Sequence, residues 1–224
     1  MLKKLLFISL LVPMSLLAAH KECKVNPSYD IVINKVNVHI FNKTTDLIIT
    51  PKGEVVLNNK SMNLDPKLIK ETKQFQQDLR QQLPQLEQQA FTLLSEVKQT
   101  FDQAIKTKLG DDNELHSQLN KLYKRLVKLL RRSILTDNGE TRFYYQNYNN
   151  IRQEGEDIGQ HIFYNVVGSS ILQFDLLKNY SAIKQISKNE WKTQKPKLKA
   201  FDAHICTVIT NIDEQYQQIL AELQ

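Results

Sequence analysis

From Leu64 to Leu135 apolar residues recur at helix spacing, and that run organises the chain on either side of it. Leu68, Phe75, Leu79 and Leu83 open a stripe that Leu86, Ala90, Leu93, Leu94, Val97, Phe101, Ile105 and Leu109 continue, in the steps of an amphipathic helix. Asp65 before Pro66 predicts its start: a side-chain acceptor for free amide groups, then a ring whose fixed φ suits the first turn. Gly110 predicts its end. Pro84 lacks a backbone donor, which predicts a kink or split near Gln82. The polar positions are rich in glutamine, with Gln74, Gln76, Gln77, Gln81, Gln82, Gln85, Gln88 and Gln89 reading as a neutral solvated face. A second stripe, Leu115, Leu119, Leu122, Leu126, Leu129 and Leu130, predicts another helix capped by Asp112 or Asn113.

Upstream the period falls to two. Tyr29 to Ile33, Val36 to Ile40, Leu47 to Thr50 and Glu54 to Leu57 alternate or run apolar with β-branched residues, and Pro51-Lys-Gly53 and Asn58-Asn59 supply turns. A sheet this small needs a cover for its apolar face, so the helices must pack on it. Downstream, Thr136 to Glu140 is a turn centred on Asn-Gly, followed by aromatics at Phe143, Tyr144, Tyr145 and Tyr148 that read as amphipathic packing. Helix spacing resumes from Ile151 to Ile186, with Gly155, Gly159 and Gly168 pointing to close packing or a break near Gly168. After Ser187 and Trp191, a tract with Lys192, Lys195, Lys197, Lys199 and Pro196 leads into a last helix through Leu198, Phe201, Ile205, Val208, Ile212, Tyr216 and Ile219. The expected fold class is α+β, mostly α. A short N-terminal antiparallel β-meander (20–63) packs on a larger helical body (64–224) as one compact unit, and six Gly and six Pro in 224 residues fit that balance.

The first residues have a different character. Lys3 and Lys4, the apolar run Leu5 to Leu17, then Ala18 and Ala19 predict a secretory signal peptide cleaved after Ala19 or Ala18. The run is short of the roughly 20 apolar residues that span a bilayer, and no later segment reaches that length. His20-Lys21-Glu22 stand before Cys23, which argues against a lipid anchor, so the expected home is the periplasm, with full secretion the alternative. Cleavage would remove two of the 30 lysines and arginines and none of the 24 acids, taking the net charge from +6 to +4. So mild a surplus gives no reason to expect nucleic acid.

Cys23 and Cys206 are the two cysteines of the chain. An even count in an oxidising compartment makes an intramolecular disulfide the economical reading, against two separate thiols. His204 and Cys206 would point to different sides of a helix, which disfavours a Cys-His nucleophile pair.

The strongest local chemical feature is a basic helix face. Lys121, Lys124, Arg125, Lys128, Arg131 and Arg132 recur at spacings of three and four. Three readings compete: a solvated face answered by Glu154, Glu156 and Asp157, docking to an acidic envelope protein, or contact with an anionic envelope surface. His39, on the polar side of its strand, reads as solvent-facing, His161 is isolated, and Gly168-Ser169-Ser170 lacks a nucleophile elbow. No metal-ligand spacing, cofactor motif or catalytic signature emerges.

One resemblance covers essentially the whole mature chain. The leader, Cys23-Lys-Val25-x-x-x-Tyr29-Asp30, the Gly53 to Leu57 strand, Asn63-Leu64-Asp65-Pro66 opening a helix, and a late Cys206 together resemble the YggN-like proteins. That is a bacterial envelope family whose domain is of unknown function. The resemblance implies a periplasmic home and carries over no catalytic residue. The expectation is therefore a periplasmic, non-enzymatic binding or accessory protein engaging an anionic partner through the basic face. The alternatives are a hydrolase of envelope polymers using carboxylates such as Glu154, Glu156, Asp157 and Asp175, and a chaperone-like holder with an apolar groove between helices.

Overall fold

The computed structural model describes residues 23–111, 114–151 and 180–223. Five strands form the meander: β1 (Asp30–Ile33), β2 (Val38–Phe41), β3 (Asp46–Ile49), β4 (Val55–Leu57) and β5 (Lys60–Ser61). Helix α1 (Pro66–Leu109) and α2 (Glu114–Ser133) follow, then β6 (Ile134–Asp137), β7 (Glu140–Phe143) and α3 (Tyr180–Glu222). The fold is α+β and mostly α, as the residue pattern predicts.

The sheet is larger than a meander. It has seven strands in the order β5-β4-β3-β2-β1-β7-β6, each pair antiparallel. The helical run expected to reach Leu135 stops at Ser133, and Ile134 and Leu135 become β-strand. The reason is the Asn-Gly turn: Asn138 and Gly139 take φ 51° and 78°, the mirror-image turn whose twist matches antiparallel strands. The hairpin it closes adds to the free edge of β1, pairing Ile31 with Phe143 and Ile33 with Thr141. The expected boundary between meander and helical body at residue 63 is therefore crossed by the sheet itself.

Alternation places Ile31, Ile33, Val38, Ile40, Leu47, Ile49 and Val55 on one buried face. Leu68, Phe75, Leu79 and Leu83 of α1, with Ile209, Ile212, Tyr216 and Ile219 of α3, cover it. Burial of this kind gives about 25 cal/mol per Å² of apolar surface and dominates the stability. Beyond the sheet, a second cluster joins Phe101 and Ile105 of α1, Leu115 and Leu119 of α2, and Ile183 and Ile186 of α3. Paired contacts give the directions. Lys67 with Glu222 and Glu96 with Lys197 run α3 antiparallel to α1, and Asp102 with His116 and Phe91 with Arg131 do the same for α2.

The start of α1 is as read: the Asp65 carboxylate accepts from the Leu68 amide at 2.8 Å and Pro66 is the first helical residue. Gly110 ends the helix. Pro84 does not split it: the helix is continuous from Pro66 to Leu109, and the flanking Leu79, Leu83 and Leu86 are all buried. Nor does the lysine tract precede a separate last helix. α3 runs unbroken through Pro196 from Tyr180 to Glu222. Among the glutamines, Gln76 is buried rather than solvated, accepting from Arg80 Nε at 2.7 Å. The disulfide between Cys23 and Cys206 is formed, with 5.5 Å between their Cα atoms and a sequence separation of 183. It ties the entry to β1 onto the middle of α3.

Phe143 lies in β7 and is buried, and Tyr145 and Tyr148 pack against the main core, so the aromatic cluster is structural packing. The glycines at 155, 159 and 168, the isolated His161 and the predicted leader all lie outside the described residues.

Candidate functional site

Helix α2 is built to expose its cations. Leu115, Leu119 and Leu122 are buried, and Leu126, Leu129 and Leu130 are half-buried on the same side. At about 100° per residue, Lys121, Lys124, Arg125, Lys128, Arg131 and Arg132 fall on the opposite side within an arc of roughly 120°. All six are exposed. Among the described residues none of them has a carboxylate partner, whereas Lys67, Lys98, Lys106, Arg142 and Lys197 do. Arg131 alone makes an intramolecular cation contact, its guanidinium lying 5.6 Å from the centre of the Phe91 ring on α1. Arg131 and Arg132 close the last turn, where the backbone dipole favours positive charge, and Glu114 opens the first. The acids expected to answer this face, Glu154, Glu156 and Asp157, lie outside the described residues, as does Asp175.

Two histidines carry relationships that sequence spacing did not show. His39 reaches Asp46 on the neighbouring strand, Nε2 to Oδ1 at 2.8 Å, and stacks on Phe41 at 4.4 Å between centroids. It lies on the face of β2 away from the core, as its strand pattern predicts, and the Asp46 partner is what the spacing did not show. His116 of α2 places Nδ1 2.8 Å from Asp102 Oδ1 on α1, and Lys98 bonds the other carboxylate oxygen. Burial pushes the Asp102 carboxyl up, but the hydrogen bonds from Lys98 and His116 outweigh it and hold the group below its ordinary value. His116 Nε2 is buried without a hydrogen-bond partner among the described residues. One histidine and one carboxylate make an interhelical clasp. They fall short of a metal site, and among the described residues no three His, Cys, Asp or Glu side chains converge as one.

Tyr29 and Tyr216 lie with ring centroids 4.2 Å apart where β1 meets α3. Burial, and secondarily the neighbouring Asp213 carboxylate, hold the Tyr29 phenol far above its ordinary value. Groups so shifted mark either a reactive centre or a core tyrosine, and with Tyr29 and Tyr216 each 1% exposed the core reading follows. Leu68, Leu79, Leu83 and Leu86 of α1 join the core that covers the sheet, and Leu115 and Leu119 of α2 join the second cluster. Among the described residues Val36, at the β1–β2 turn, is the large apolar side chain left exposed.

With the geometry in place, known proteins give the lineage. A family model described as a protein of unknown function, DUF2884, matches residues 23–224. The chain belongs to the DUF2884 family. Its similarity to "Uncharacterized protein YggN" of Escherichia coli K12 is 22% identity over 239 residues, covering 100% of both chains, and the YggN of Escherichia coli O157:H7 matches equally. No solved structure matches. DUF2884 membership bears out the YggN-like resemblance read from the cysteines, the strand motifs and the Asp-Pro helix start.

Proposed function

We propose that this DUF2884 protein is a periplasmic, non-enzymatic binding or accessory protein that engages an acidic envelope protein or anionic envelope surface through the outer face of α2. The observation that carries the reading is the exposed arc of Lys121, Lys124, Arg125, Lys128, Arg131 and Arg132, to which the described residues offer no carboxylate. Like charges three and four residues apart on a helix repel by roughly 0.2–0.5 kcal/mol per pair. An anionic ligand removes that repulsion, and a helix held by buried leucines presents the charges without a cost in ordering the backbone. The Cys23–Cys206 bridge supports an oxidising compartment, and none of the described helices is long and apolar enough to cross a membrane.

The test is charge reversal. Lys124→Glu, Arg125→Glu and Lys128→Glu together are expected to abolish capture of envelope components at low salt while moving the melting temperature by no more than a few degrees. Capture at the parental level by the folded variant would leave only the solvated-face reading.

A further inference from the structure

The unbroken course of α3 creates a second line of charge that α2 does not share. Lys184, Lys188, Lys192, Lys195 and Lys199 are separated by steps of four, four, three and four residues. At about 100° and 1.5 Å per residue these steps hold all five lysines within an arc of about 80°, along about 22 Å of helix. All five are exposed, and among the described residues none is paired with a carboxylate. Between residues 181 and 199 the arc contains only Ser181 besides the lysines. Lys197 points elsewhere and pairs with Glu96. Glu190 lies across the helix, in the groove with Gln99 and Gln103 of α1. Asp202, one turn beyond Lys199, bounds the line, and Cys206 beyond it is held to Cys23.

The form of this line specifies its ligand. It is one side chain wide, with successive charges about 4.5–6 Å apart along the axis. Trp191 and Leu198 at its margin are half-buried, so the arc offers no apolar side chain to enter a bilayer and no aromatic face on which to stack bases. Lysine ammonium groups are mobile point charges that follow an anionic chain, where paired arginines would grip single phosphates or carboxylates. We infer that the lysine line of α3 is a docking strip for a linear acidic polysaccharide, laid along the helix axis outside the cytoplasm. The inference is independent of the α2 reading: it uses another helix and another set of side chains.

The experiment measures binding of oligogalacturonates of increasing length to the full mature protein at low ionic strength. Affinity is expected to rise with length until the oligomer spans about 22 Å and then level off. Lys188→Gln, Lys192→Gln and Lys195→Gln together are expected to weaken binding at least tenfold and flatten its salt dependence, with circular dichroism confirming the parental fold. The α2 variant carrying Lys124→Glu, Arg125→Glu and Lys128→Glu should bind as the parent does, so that failure of one surface is distinguishable from failure of the other. The same triple glutamine variant is tried against phosphatidylglycerol vesicles and single-stranded DNA. Unchanged oligogalacturonate binding by that variant, affinity independent of length, or stripe-dependent binding that is tighter to vesicles or DNA would each overturn the assignment.

Discussion

Gly53 shows how one residue can set the junction between sheet and helix. It takes φ +87°, and a Cβ placed there would stand 2.3 Å from the Ile69 carbonyl oxygen, which belongs to the α1 backbone and cannot yield. The Thr72 hydroxyl lies 2.6 Å from the Gly53 carbonyl, fastening the same turn to the helix. Gly53→Ala is therefore expected to cost about 2–4 kcal/mol in urea unfolding, combining left-handed strain with displacement of backbone. Asp102 gives a pH-dependent prediction. Its folded pKa lies below the unfolded value of about 3.9, so its contribution to stability is present above that value and is lost as the pH falls through the folded pKa. The gap in melting temperature between the parent and Asp102→Asn should be widest at neutral pH and close progressively below about pH 4. A gap that grew on acidification would refute the sign. The Gly53 turn was legible in the linear chain but the Asp102–His116 pair was not, because those two residues meet only when two helices fold back on each other.

At the scale of elements, local signals were readable wherever one element sufficed to express them. The Asp65-Pro66 start, the Gly110 end and the basic arc of α2 each need only helix arithmetic, and each stands where that arithmetic puts it. The β6–β7 hairpin carried an equally local signal, an Asn-Gly pair flanked by Ile134-Leu135-Thr136 and Thr141-Arg142-Phe143. It was obscured because the preceding leucine stripe runs in phase up to Leu130, directly before the strand residues Ile134 and Leu135. Proline misled in the opposite direction. Pro84 and Pro196 both sit inside helices that continue past them despite a lost hydrogen bond. Pro196 is exposed, so Pro196→Ala removes no buried contact and restores a backbone donor. It is expected to stabilise the protein by roughly 1–3 kcal/mol, seen as a raised melting temperature. The lysine line was half visible for the same reason. With a helix start expected after the tract, Lys184 and Lys188 stood apart from Lys192, Lys195 and Lys199, and only the continuous helix brings all five into phase.

For the whole molecule, the disulfide is the widest constraint. It closes a loop spanning a separation of 183 residues, for which the chain-entropy view gives about 5 kcal/mol as an upper figure. Cys23→Ser with Cys206→Ser is expected to lower unfolding stability by about 3–5 kcal/mol, and reductant should produce the same loss in the parent. The segment leading into β1 would then be held only by contacts such as the Asn149 amide to the Pro27 carbonyl at 3.0 Å. What the chain determines by itself is what depends on near neighbours: helix and strand periods, caps, turns, the α+β class, the oxidisable pair and the charged arc of α2. Family membership belongs with these, since it is carried by motifs in linear order. What only the tertiary structure decided depends on which surfaces meet. The hairpin joined the edge of β1 because that edge had free backbone groups to satisfy, Pro84 stayed within its helix between the buried Leu83 and Leu86, and Asp102 found His116 because α2 folds back along α1.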